Sequence, residues 1–149
     1  MAKPKATKSP RTTEDSLVDA LAQAAFATMA VLNKLAAEND LSLTLLRVGG
    51  ILRDRRLRIA TLGQYLGLEK STMTGLVDRA EKRGLLARAP SKDDGRAIDV
   101  VLTKKGLELA ERVEEQLRDA LAPLTQRLNA AEQRKLRDLL TRMLDAPDG

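Results

Sequence analysis

The chain contains no cysteine, no histidine and no tryptophan, and its only aromatic residues are Phe26 and Tyr65. Without thiols there are no disulfides, thiol switches or thiolate nucleophiles. Without imidazole there are no Ser/His/Asp triads and no zinc sites built on these ligands. No phosphate loop, metal constellation or paired nucleophile and base can be assembled from the remaining residue types, so the reading is of a protein with no enzymatic activity and no bound cofactor. A run of about 18 consecutive apolar residues is also missing. So is the continuous apolar stretch of a secretory signal near the N-terminus, and the expectation is a cytoplasmic chain with no membrane association.

What is present favours helix. The 149 residues are 43% hydrophobic and 32% charged, and Ala, Leu, Arg, Lys and Glu are abundant. That is the size and make-up of one globular domain able to bury a core. With so few aromatics, the apolar positions must serve helix-to-helix packing. The net charge of +5 is unevenly distributed. Residues 1–13 carry +4 and residues 14–46 carry −4. Residues 47–96 hold twelve basic and six acidic side chains, and residues 97–149 carry −1. A basic block inside a balanced chain is the electrostatic footprint of contact with phosphates, the alternative being a solvated basic face.

Residues 1–13 hold two prolines, four basic residues and almost no large apolar residue, which predicts a disordered basic tail, either an arm that tracks DNA or a solubilising terminus. From Glu14 to Glu38, Leu17, Leu21, Ala24, Ala25, Thr28, Leu32, Leu35 and Ala36 recur at helical spacing, and residues 14–40 read as a long amphipathic helix for dimerisation. Ser42 can cap a second helix running to about Arg53. Gly49 and Gly50 weaken that helix, which suggests close packing against a neighbour there.

Residues 41–103 read as a DNA-binding unit. Ile59, Leu62 and Leu66 share one face of a short helix that turns at Gly67, and a second helix follows over about residues 70–83. It places Met73, Leu76, Val77 and Ala80 inward and Ser71, Thr72, Thr74, Gly75, Asp78, Arg79 and Lys82 outward. Two short helices joined by a tight turn form a helix-turn-helix pattern. Gly84 is placed for a left-handed cap. An extended segment, the polar loop SKDDGRA and the alternating stretch Ile98 to Leu102 then read as a hairpin wing over about residues 87–102.

Beyond Thr103, Leu107, Ala110, Val113, Leu117, Leu121, Leu124 and Leu128 mark a long helix that Asn129 stops. Asn129 and Glu132 resemble a capping box opening a last helix through Leu136, Leu139, Leu140, Met143 and Leu144. Residues 104–146 thus supply two more helices with more apolar stripe than one chain can cover. Helices from both ends interleaving with a second copy would make a two-fold homodimer, the alternative being a monomeric bundle. The fold class expected is mainly α with a small β-hairpin wing.

The segment LGLEKSTMTGLVDRAEKRGLLAR, Leu66 to Arg88, resembles the turn and recognition helix of the MarR family of bacterial regulators. Asp94-Gly95-Arg96, followed by IDVVLTKKG from Ile98 to Gly106, resembles that family's wing and the start of its long helix. The resemblance spans roughly residues 14–146 and implies a winged helix-turn-helix homodimer that binds duplex DNA at a pseudo-palindromic operator. It further implies a ligand-responsive repressor, with a small phenolic or anionic effector bound between the dimerisation and DNA lobes. The alternative is a winged-helix protein-interaction module that does not read DNA. Gly75 and Ala80 depart from the family pattern, where larger residues are usual.

On this reading Ser71, Thr72, Thr74 and Arg79 face base edges in the major groove, with Gly75 allowing close backbone approach. The alternatives are helix capping for the hydroxyl residues and an ion pair with Asp78 or Glu81 for Arg79. Arg96 at the wing tip enters the minor groove and Asp94 holds its guanidinium, unless Asp94 makes an Asx turn instead. Lys70, Arg88 and Lys92 are phosphate contacts, and Arg53, Arg55, Arg56 and Arg58 are weaker ones.

Overall fold

The computed structural model describes residues 2–4 and 12–145. Most of the segment expected to form a basic tail therefore lies outside the described residues. Helix α1 spans Thr13–Glu38, and Thr12 caps it reciprocally with Asp15, each accepting from the other's backbone N–H at 3.0 and 3.2 Å. Two residues assigned to the tail thus belong to the helix and its cap. Helix α2 (Leu43–Leu52) is capped by Ser42, and the two-residue strand β1 (Leu57–Arg58) leads into α3 (Ile59–Leu66) and α4 (Lys70–Lys82). Strands β2 (Leu86–Pro90) and β3 (Ile98–Leu102) precede α5 (Lys104–Thr125) and α6 (Ala130–Leu144).

The sheet is antiparallel, in the order β1-β3-β2, with Leu57 opposite Val100 and Arg88 opposite Val100 on the other side. Strand β1 was not foreseen, because two residues are too few to show a period. The alternation read for β3 also fails at one end. Ile98 is 47% exposed and Asp99 is buried, because Arg56 reaches in from the β1 edge and supplies the cation that the carboxylate needs.

Val48 and Leu52 of α2, Leu62 of α3, Met73, Leu76, Val77 and Ala80 of α4, Leu86 and Val100 form the continuous core. The inward set read for α4 matches its buried residues. By contrast, α1 buries only Leu35 and Ala36, and α6 buries none of its residues. Leu17, Val18, Phe26, Met29, Leu136, Met143 and Leu144 stay exposed on these two helices. By length and composition alone α1 could cross a membrane, with a mean hydropathy of 1.3 over its most apolar window. That apolar window is exposed in this chain, and only the C-terminal end of the helix, at Leu35 and Ala36, packs into the fold.

Glycines mark the tightest and the loosest places. At Gly106 a Cβ would lie 2.0 Å from the Leu85 carbonyl oxygen, so the first turn of α5 approaches the start of β2 as only glycine permits. At Gly50 a Cβ would meet nothing within 4 Å, and at Gly49 only the Cβ of Ala110 at 4.0 Å. The close packing expected at that pair is absent from this chain. Gly106→Ala should therefore cost about 3 kcal/mol or more through backbone overlap, while Gly50→Ala should stabilise by about 0.5–1 kcal/mol through helix propensity. Urea denaturation of both variants checks the contrast, and equal effects would contradict it.

Candidate nucleic-acid interface

The geometry of the turn between α3 and α4 follows from three glycine-dependent contacts. Gly67 adopts a left-handed conformation (φ 64°) that ends α3, and the Leu68 N–H donates to the Gly63 carbonyl at 2.9 Å. Gly63 is buried beneath the turn, where a Cβ would stand 3.1 Å from both the Leu68 carbonyl oxygen and the Met73 Cγ. At the other end of α4, Gly84 takes φ 73° and the Leu85 N–H closes on the Ala80 carbonyl at 3.0 Å. The helix is thus fixed at both ends by backbone geometry.

Ser71, Thr72, Asp78, Arg79 and Lys82 lie on its exposed face, and Lys70 is exposed at its first turn. No capping bond comes from Glu69, so the first N–H groups of α4 remain open to a partner. Thr74 is half-buried and donates its hydroxyl back to the Lys70 carbonyl at 2.9 Å. The Arg79 guanidinium folds back over Gly75, its Nη1 lying 3.1 Å from where a Cβ would stand. A larger residue at 75 would push that arginine outward, which connects two positions the sequence presents separately.

The basic residues of the central block separate into two groups. Arg88 of β2 donates to Asp78 at 2.6 Å and to Glu81 at 2.9 Å, tying the wing strand to α4. Its pKa is raised above the ordinary arginine value, chiefly by the hydrogen bond to Asp78, so its charge is constant across any working pH. Arg56 donates to Asp99 at 3.0 Å and to the Pro90 carbonyl at 2.7 Å, joining β1 to both wing strands. Arg53 pairs with Glu114 of α5, and Arg55 with its neighbour Asp54 at 3.4 Å. The guanidinium of Arg88 is therefore committed to carboxylates. Lys70, Lys92 and Arg96 are exposed. None of the three makes a side-chain hydrogen bond or ion pair among the described residues.

The wing tip is held by its own backbone. Ser91 N–H donates to the Ala97 carbonyl at 2.9 Å, and Ala97 N–H to the Asp94 carbonyl at 3.0 Å. Asp94 accepts from the backbone N–H of Arg96 at 3.0 Å, an Asx turn. The expected Asp94 grip on the Arg96 guanidinium does not form here. The aspartate shapes the loop and leaves the arginine free.

A helix-turn-helix followed by a two-stranded wing, with β1 from before the motif completing the sheet and long helices framing both, defines a winged helix-turn-helix protein. Residues 43–97 match the sequence model of the MarR family. The match spans 55 of the 149 residues, from α2 to the wing loop. It is 37% identical over 82 residues to the HTH-type transcriptional regulator PecS of Dickeya dadantii, covering 52% of this chain and 47% of that one. The chain spans about half the length of the curated relatives it matches, from 40% to 60% for the regulator SarZ and for mycobacterial repressors. These relatives are named as transcriptional regulators or repressors and not as enzymes. Among solved structures, NadR in complex with 4-hydroxyphenylacetate superposes with a TM-score of 0.77 at 22% identity, over 94% of this chain and all of that one. BpsR of Bordetella bronchiseptica, whose DNA binding is regulated by 6-hydroxynicotinic acid, gives 0.69 at 24%, over 93% and 100%.

The two groups of cations predict different phenotypes. Arg56→Ala strands the buried Asp99 carboxylate and should destabilise the fold by about 2 kcal/mol or more, whereas Lys92→Ala should stay within about 0.5 kcal/mol of wild type. Thermal unfolding in low salt distinguishes them, and a neutral Arg56→Ala would remove the structural role assigned to that arginine.

Proposed function

We propose that the chain is a sequence-specific transcription regulator that binds duplex DNA as a homodimer and represses until a small molecule releases it. The observation that carries this reading is the unpartnered Arg96 at an exposed wing tip next to the helix-turn-helix, in a block where neighbouring arginines are committed to carboxylates. A guanidinium left free in this way suits the narrow minor groove, where negative potential is concentrated.

In the complex α4 enters the major groove. Ser71, Thr72 and Arg79 meet base edges, Gly75 permits close approach, and Thr74 contributes its methyl group while its hydroxyl stays on the helix. Lys70 and Lys92 contact phosphates. Arg88 orients the wing against α4 and reaches phosphate only by exchanging a carboxylate partner. Exposed apolar residues on α1 and α6 supply the subunit surface, because hydrophobic stripes of that length need a second copy to cover them. Two recognition helices related by a two-fold axis read half-sites about 10 bp apart. The protein acts in the cytoplasm, and its effector occupies the cleft where α2 and α5 face the start of β2. NadR and BpsR, which share the fold, are associated with hydroxylated aromatic acids.

Arg96→Ala should lose about 1–3 kcal/mol of duplex affinity with stability unchanged. Lys92→Ala should weaken all sequences alike and lower the salt slope by about one phosphate contact. Titration of a selected duplex at several salt concentrations measures both. Full affinity in Arg96→Ala, or a monomer by light scattering at micromolar concentration, would overturn the proposal.

A further inference from the structure

Between α2, α5 and the start of β2 lies a cavity of about 160 Å³, lined by Leu45, Gly49, Gly50, Leu86, Ala110, Val113 and further leucines. The only polar side chains in its wall are Arg53 and Glu114. These two are bound to each other, and Glu114 is held on its other oxygen by Arg118 at 3.6 Å. The wall therefore offers no uncommitted cation to a carboxylate, and the Glu114 charge opposes one. The two glycines add to this picture. Both weaken α2, neither is required by a close neighbour, and both border the cavity. Their missing side chains keep the space open.

We propose that this cavity binds a neutral, apolar molecule of single-ring size, and that the Arg53–Glu114 pair selects against carboxylated rings. This rests on the reading that the effector occupies the cleft between α2 and α5, and it names the chemical class. Enclosed aliphatic cavities of about 150 Å³ take up benzene, and this one, of similar volume but open to solvent on one side, has room for a single ring. An anionic ring would have to displace Glu114 from Arg53 or lie beside a like charge, at a pair more than a third exposed to solvent.

The test is thermal unfolding of the full chain with toluene or with benzoate, two probes that share a ring and differ in charge. Toluene should raise Tm progressively with its concentration, following the logarithm of its occupancy term, and bind at least about tenfold more tightly than benzoate. Ala110→Leu fills the space beside Gly49 and should abolish the toluene response while keeping the circular dichroism and the oligomeric state of wild type. Glu114→Gln frees Arg53 and should create a benzoate response. The paired replacement Arg53→Met with Glu114→Met should keep the toluene response, which guards against a folding defect in the single variant. Benzoate binding to wild type as tightly as toluene, lost in Ala110→Leu, would leave the site standing and overturn the ligand class. A toluene response untouched by Ala110→Leu, or no response to either probe, would overturn the cavity as the effector site as well.

Discussion

The relation between the helix-turn-helix and the long helices is set at one backbone carbonyl. Leu85, the residue just before β2, presents its oxygen to the first turn of α5, and Gly106 leaves the room it needs. Thr103 completes the junction. Its N–H donates to Leu85 O at 3.1 Å, its hydroxyl donates to Gly84 O at 2.5 Å, and the same hydroxyl accepts from the Gly106 N–H at 3.0 Å. Lys105 adds a bond to the Arg83 carbonyl at 2.9 Å. The end of α4, the root of the wing and the start of α5 are thereby one rigid corner. A displacement of α5 is passed through this corner to α4, and the cavity between α2 and α5 lies directly against it. A ligand there can bias DNA binding only through its differential affinity for the two lobe arrangements.

Charge follows the same economy. Arg88 fastens β2 to α4, Arg56 fastens β1 to the wing strands, and Arg53 fastens α2 to α5. Arg88 and Arg53 each span two elements, and Arg56 spans three. Their partners are exposed or half-exposed carboxylates except Asp99, so the contribution of most is orientation more than stability. The exposed cations left without a carboxylate include Lys70 at the first turn of α4 and Lys92 and Arg96 on the wing loop, with Arg58, Arg79 and Lys82 beside them.

Much of this architecture is legible in the sequence. Met73, Leu76, Val77 and Ala80 announce the buried face of α4, Gly84 its stop, and Asn129 with Glu132 the cap of α6. The motif from Leu102 to Gly106 can be read as a pattern, but its cause is tertiary: the carbonyl that demands Gly106 lies 21 residues earlier. The same holds for Asp99, whose burial depends on Arg56 arriving from a distant strand. Gly49 and Gly50 looked like a packing signature, because glycine in a helix signals both close approach and empty space, and only the neighbours decide which. At the site, exposure of Ser71, Thr72, Arg79, Lys92 and Arg96 follows from helical and hairpin periodicity. The Arg88 ion pairs do not, since they depend on how β2 crosses α4.

Because the chain has no cysteine, a single spin label can be introduced without a background at Lys82→Cys, exposed at the C-terminal end of α4 and away from the residues proposed to meet DNA. The distance between labels on the two recognition helices of a dimer bound to duplex DNA tests the central claim directly. Two helices in successive major grooves on one face of the duplex should give a narrow distribution centred near one helical turn, about 34 Å. Absence of dipolar coupling, or a separation that no multiple of the helical repeat can accommodate, would contradict the account.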